Sequence, residues 1–189
     1  MFRNKKIKKM INDDDPKIVF YINSKKINLS EVFKDDEDLI EKSIKNHKNQ
    51  IAETAITYTE NINRLNKENQ SYLMLAILYD NKPMFNKLLT VDISLDTMDN
   101  NRESALFYAL KNPDAFYFNT LVQHNVDIKG YNLRGENTLI FAYIHKRKDI
   151  CRYLIKNNVF INHLDKDGDT VLHYALKNQD TEFALLLID

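Results

Sequence analysis

The sequence predicts an all-α protein, a solenoid of about six helix–turn–helix units, and three observations carry that prediction. Gly and Pro each occur only three times in 189 residues, so helices joined by short polar turns are the economical reading. Hydrophobic content of 43% is enough for a packed core and argues against wholesale disorder. Apolar and small residues also recur at a fixed interval of 33. Stepping back from Leu172 gives Leu139, Leu106, Leu73, Ile40 and Ile7, and from Ala175 gives Ala142, Ala109, Ala76, Ser43 and Met10. Leu187 leads to Leu154, Leu121, Leu88, Ala55 and Ile22, and Ile161 leads to Ile128, Leu95, Ile62 and Leu29, with no insertion needed.

Within one unit the columns have a physical meaning. Leu172 and Ala175 are three apart and share one face of a first helix, where the small Ala lets a neighbouring helix approach closely. Phe183, Leu186 and Leu187 keep the i, i+3, i+4 spacing of a second, amphipathic helix. The polar stretch Asn162 to Asp169 supplies Asp and Gly for a tight turn that tolerates positive φ. Thr170, just before the apolar run, is placed to cap the first helix. Each unit therefore reads as turn, short helix, loop, longer helix.

The last unit, Asp165-Lys166-Asp167-Gly168-Asp169-Thr170-Val171-Leu172-His173-Tyr174-Ala175, resembles the ankyrin signature D-x-x-G-x-T-P-L-H-x-A, with Val171 in place of Pro. The unit from Asn132 to Ala142 keeps the Gly, Leu and Ala of that signature, and the unit from Asp99 to Ala109 keeps Asp, Leu and Ala. Leu121 to Ile128 resembles the family's L-L-x-x-G-A-D-x-N ending, with Asn125 for Gly. Tetratricopeptide repeats have a similar period but lack this turn. The resemblance implies one ankyrin-repeat domain over residues 1–189, recognisable over 66–189 with the last repeat incomplete. Residues 1–65 read as degenerate N-terminal repeats or a cap, with Asp15-Pro16 resembling an N-cap and first-turn proline.

Charge and cysteine usage narrow the function classes. Basic and acidic side chains number 27 each, so the net charge is zero and neither nucleic acid nor a membrane surface is an expected partner. The single cysteine, Cys151, has no disulfide partner, which fits a reducing compartment. No stretch reaches the length of a membrane-spanning helix, and the basic start Lys5-Lys6-Ile7-Lys8-Lys9 meets Asp13-Asp14-Asp15 too soon for a secretory signal. The expectation is a cytoplasmic protein, with nuclear entry or delivery into a host cell left open. The basic start itself reads as a solvated helix face, and the run Asp35-Asp36-Glu37-Asp38 as a helix-capping segment.

Nothing in the sequence assembles an active site, and no catalytic, cofactor or metal residue is expected. Histidines at 145, 163 and 173 lack the spacing that puts two ligands on one helix face, and no Cys-x-x-Cys exists. Cys151 beside Ile150 reads as a buried hydrophobe on a second helix. His173 occupies the family column whose ring bonds to neighbouring turn groups.

What the resemblance implies instead is protein binding through a concave groove formed by turn tips and the inner face of first helices. The tip positions in that groove are Asn101, Glu103, Leu133, Arg134, Glu136, Lys166, Asp167 and Asp169; the helix positions are Leu78, Tyr79, Lys111, Ile144 and His145. Exposed apolar, aromatic and Arg side chains are the usual anchors of an interface. The expected function is a non-catalytic adaptor or inhibitor of an unidentified protein. The alternative is a scaffold fragment of a larger protein, accessory to an enzyme domain outside this sequence. The apolar end Leu185-Leu186-Leu187-Ile188 lacks a polar cap, and self-association through it is open.

Overall fold

The computed structural model describes residues 2–13, 15, 17–25, 27 and 38–188. Pro16, Leu29 and the run from Asp35 to Glu37 lie outside the described residues; Asp38 lies inside and caps a helix through its carboxylate. Twelve helices occur among the described residues: α1 Phe2–Asn12, α2 Ile18–Lys25, α3 Leu39–Lys45, α4 Asn49–Thr57, α5 Tyr72–Leu78 and α6 Lys82–Leu88, then α7 Ala105–Lys111, α8 Ala115–Gln123, α9 Thr138–Ile144, α10 Lys148–Lys156, α11 Val171–Lys177 and α12 Thr181–Ile188. From α3 onward, first helices start at 39, 72, 105, 138 and 171, and second helices at 49, 82, 115, 148 and 181. The structural period is thus the 33 residues of the sequence period. No strand is formed among the described residues; a single bridge pairs Tyr131 with Asn137.

The chain forms two compact units, residues 1–94 and 95–189. In the first, α3 packs on α5 and α4 on both α2 and α6; in the second, α9 packs between α7 and α11. Like therefore stacks on like. Every residue of α5 from Tyr72 to Ile77, of α7 from Ala105 to Leu110, and of α9 from Thr138 to Tyr143 is buried. For α9, which lies between α7 and α11, burial on all sides is what a position between two neighbours requires. The Ala column is fully buried at Ala76, Ala109, Ala142 and Ala175. Ser43 takes that place in α3, and its hydroxyl finds no hydrogen-bond partner among the described residues.

Glycine is scarce, yet the backbone enters the left-handed region at regular intervals. One column closes the turn tip, at Asn69, Arg102, Gly135 and Gly168; a second ends the first helices, at His47, Asp80, Lys146 and Gln179. In the second column the next amide donates back five residues, as in Lys48 N to Ser43 O at 2.8 Å and Arg147 N to Ala142 O at 2.9 Å, which satisfies the last carbonyls of the helix. Pro113 interrupts this column, because proline cannot adopt positive φ and drives its predecessor into extended geometry. Asn112 accordingly has ψ 131°. Its carbonyl is taken instead by the guanidinium of Arg147, a buried side chain of the following repeat that also grips Asp149 at 3.2 and 3.3 Å.

The same position, just ahead of a second helix, ties neighbouring repeats together at Asn81, Lys48 and Asp180 as well. Asn81 is fully buried; its Nδ2 donates to the Ile44 carbonyl at 3.0 Å while its Oδ1 accepts from Met84 N. Lys48 reaches the Ile11 carbonyl at 3.3 Å, and Asp180 accepts from the Tyr143 hydroxyl at 3.1 Å. In the last repeat only Val171, Ala175, Phe183 and Ala184 of α11 and α12 are buried. Leu186, expected with Phe183 and Leu187 on the apolar face of the second helix, is exposed, together with Leu176, Leu185 and Ile188.

The two positive-φ glycines separate strain from crowding. A Cβ on Gly168 would meet nothing within 4 Å, whereas one on Gly135 would sit 3.0 Å from Lys166 N. Gly168→Ala is expected to cost about 1 kcal/mol from the backbone conformation alone. Gly135→Ala is expected to cost at least about twice that, because the next repeat's backbone must also move. Chemical denaturation of the two variants under identical conditions checks the order.

Candidate functional site

Four turn tips among the described residues begin with Asp or Asn, and that side chain builds the turn. The residues are Asn66, Asp99, Asn132 and Asp165, spaced 33 apart. In every one, Oδ1 accepts the amides two and four residues on: Asp99 from Asn101 and Glu103 at 2.8 and 2.9 Å, and Asp165 from Asp167 and Asp169 at 2.9 Å each. Asn132 takes Arg134 and Glu136 at 3.0 and 3.1 Å, and Asn66 takes Glu68 and Gln70 at 3.0 and 2.8 Å. A backbone bond closes the same loop in each, such as Asp99 N to Glu103 O at 3.0 Å. Short Asp and Asn side chains are suited to this work because they reach a backbone amide two residues away.

The second atom of the brace alternates from repeat to repeat. When the residue is Asp, Oδ2 accepts a tyrosine hydroxyl nine residues on, Tyr108 to Asp99 at 2.9 Å and Tyr174 to Asp165 at 2.7 Å. The acid four residues on is then released to bind a lysine at the end of the first helix, Glu103 with Lys111 and Asp169 with Lys177. When the residue is Asn, its Nδ2 donates to the side chain four residues on, Gln70 at 2.9 Å and Glu136 at 2.7 Å. The tyrosine position is then Leu75 or Phe141, and the lysine position is Leu78 or Ile144. A 66-residue alternation is thus laid over the 33-residue period in the four described tips, with the lysine position apolar at Leu78 and Ile144 and cationic at Lys111 and Lys177.

This arrangement decides where the sequence-predicted residues lie. Leu78, Asn101, Lys111, Leu133, Arg134, Lys166 and Asp167 are exposed, and Tyr79, Ile144, His145 and Asp169 are half-buried. Glu103 and Glu136, expected at the exposed tips, are instead 6% and 3% exposed. Glu103 is drawn inward by Lys111, and Glu136 by Asn132 and by Arg134 at 3.4 Å. They position those neighbours rather than present themselves. His145 lies against Phe141 at 4.4 Å, where burial first and the Lys111 charge second hold its imidazole below the ordinary value. It faces its neighbours as a neutral ring at pH 7. Tyr79 carries the Lys45 ammonium over its ring at 5.7 Å.

The residues set aside as structural behave so. Cys151 is fully buried, and burial pushes its thiol up to about 12. His173 Nδ1 accepts from the Thr170 amide at 3.0 Å while Thr170 Oγ1 accepts from His173 N, a reciprocal cap. His163 Nε2 meets the Gly135 carbonyl at 2.7 Å. Of the basic start, Ile7 is buried in α1 and Lys5, Lys6 and Lys9 are exposed. Among the described residues no group of His, Cys, Asp or Glu is arranged to hold a metal, and no helix is long and apolar enough to cross a membrane.

Sequence reasoning missed one set of surface residues. Met98, Tyr131 and Leu164, each immediately before the brace residue, are large, apolar and exposed. Stepping by 33 along the polar turns, rather than only along the apolar helices, would have found them.

Residues 139–188, from α9 to the end of α12, match the family model of ankyrin repeats (many copies). No curated protein sequence is significantly similar to the chain.

The brace gives a measurable coupling. Burial pushes the Asp165 carboxyl up, but the Tyr174 hydroxyl and the amides of Asp169 and Asp167 outweigh it and hold the group below the usual carboxylate value. Its folded value is depressed. Its contribution to stability is therefore complete above the ordinary carboxylate range and is lost as pH falls through the depressed value. Tyr174→Phe is expected to cost about 1 kcal/mol in the native background and less in an Asp165→Asn background, a coupling of about 0.5–1.5 kcal/mol. Urea titrations of the four proteins at pH 7 and pH 3 check this, with the coupling present at pH 7 and reduced at pH 3.

Proposed function

We propose, from the premise that this chain is an ankyrin-repeat protein, that it is an adaptor or inhibitor that binds a partner protein through its turn tips and the inner ends of its first helices. Ankyrin repeats are in general protein–protein interaction modules. One observation carries the reading: a turn frame with the same hydrogen bonds in four repeats presents different side chains in each. The tips offer Asn101, Leu133 and Arg134, then Lys166 and Asp167, while the helix ends offer Leu78, Lys111, Ile144 and Lys177. A frame held constant by its own brace leaves the remaining tip positions to be set by what they touch.

The exposed apolar and Arg side chains supply the energetic anchors. Leu78 and Leu133 are about half exposed, and Arg134 projects with three-quarters of its side chain in solvent. None of these completes a core. Their burial by a partner would remove apolar surface from water at about 25 cal/mol per Å².

The double variant Tyr79→Ala/Arg134→Ala is expected to weaken binding of the captured partner by at least about tenfold, with a thermal midpoint within a few degrees of the native protein. Affinity capture followed by titration calorimetry on the recovered partner measures the first, and differential scanning calorimetry the second. Undiminished binding, or a collapse of the fold in its place, counts against the reading.

A further inference from the structure

We propose that Asp167 and Gly168 form a self-modification site, at which Asp167 converts to isoaspartate at a rate set by the brace residue Asp165; this stands apart from what the tips bind. Of the three glycines, only Gly168 follows an Asp or Asn. The order matters because a succinimide forms when a backbone amide nitrogen reaches the side-chain carbonyl carbon of the residue before it. A side chain on the second residue shields that nitrogen, and glycine has none.

The bond between the two residues is open to attack. Asp167 is exposed, and among the described residues no hydrogen bond or ion pair holds its carboxylate. Nothing lies within 4 Å of where a Cβ on Gly168 would stand, so a five-membered imide ring has room. The equivalent glycine of the preceding repeat differs in both respects. Gly135 follows Arg134, which has no side-chain carbonyl, and its Cβ position is crowded by Lys166 N at 3.0 Å.

The step needs no reactant but water. Gly168 N attacks Asp167 Cγ, and the new C–N bond replaces the bond from Cγ to its hydroxyl oxygen. That hydroxyl leaves with the amide proton as one water. Water then adds to one of the two imide carbonyls. Opening at the main-chain carbonyl breaks its bond to Gly168 N, which leaves the chain running through Cβ and Cγ beside a free α-carboxylate. Nothing is oxidised or reduced.

The brace is the gate. Attack requires rotation about ψ of Asp167, which turns the peptide group joining it to Gly168. Asp165 holds that segment through its Oδ1, which accepts from Asp167 N and Asp169 N at 2.9 Å each, and through its carbonyl, which accepts from Gly168 N at 3.1 Å. The last of these bonds also engages the proton that the attacking nitrogen must lose. The closed tip is therefore unreactive, and conversion proceeds through local opening, whose frequency the brace fixes. The product carries one more main-chain carbon between Asp167 and Gly168. That shifts the Asp169 amide out of register with Oδ1, so a converted tip does not re-form the same pair of bonds.

The test incubates the full chain at pH 7 and body temperature, with folding followed by circular dichroism. Isoaspartate is labelled with an isoaspartate-specific methyltransferase and located by electron-transfer fragmentation. Native protein is expected to gain isoaspartate at position 167, but more slowly than the free peptide 162–172. Asp165→Ala is expected to gain it at least about fivefold faster than native protein, because both side-chain bonds to the tip amides are gone. Asp165→Asn keeps the accepting oxygen and should stay within about twofold of native. Leu154→Ala weakens the buried core of α10 and leaves the brace in place, so it should not match Asp165→Ala. No isoaspartate at 167 overturns the proposal, as does an equal rate in native protein and peptide, or equal acceleration by Leu154→Ala and Asp165→Ala. If Asp165→Ala does not fold, the ratio of native protein to peptide and the behaviour of Asp165→Asn decide it.

Discussion

One carboxylate or amide oxygen at the start of each of the four described turn tips takes two backbone amides, and the shape of those tips depends on that pair of bonds. The tip must reverse direction within four residues, and only two of the four repeats have glycine at its positive-φ position. Asn69 and Arg102 occupy the same position in the others, at a conformational cost that side-chain-to-backbone bonds help to offset. Once the tip is closed, its amides and carbonyls face the next tip. The bonds from Leu133 to Asn101 and from Lys166 to Arg134 follow in consequence.

The brace also sorts the chemistry of the surface. An Asp has a spare acceptor and recruits a tyrosine hydroxyl, which frees the acid four residues later to hold a lysine at the inner helix end. An Asn has a spare donor and consumes that acid or its amide, so no lysine is needed and the helix end is Leu or Ile. The brace residue and the residue at the helix end therefore vary together in the four described tips. Burying one polar atom without a partner would cost about 1–3 kcal/mol, enough to keep the three positions matched.

The helical frame is tied together by a different column. Lys48, Asn81, Arg147 and Asp180 each stand just ahead of a second helix and each bond to a neighbouring repeat. They differ in chemistry because the groups they meet differ: a carbonyl at Ile11 and Ile44, the carbonyl that Pro113 leaves open at Asn112, and a phenol at Tyr143. The match of residues 139–188 to the ankyrin-repeat model covers the end of this frame, and the same bonds recur well before it.

The 33-residue period, the helix pairs, the buried Ala column, the roles of Cys151 and His173 and the cap at Thr170 were all determined by the sequence alone. Each rests on spacing or on a bond between residues close in the chain, and such features are written locally. Tertiary structure decided the rest. Glu103 and Glu136 read as exposed tip residues because they are charged and lie in turns, yet partners at Lys111 and Asn132 draw them inward. The exposed Met98, Tyr131 and Leu164 escaped notice because an apolar residue in a polar turn reads as a local exception. Burial depends on what a neighbouring repeat covers, and a one-dimensional pattern fixes where a side chain starts but not what closes over it.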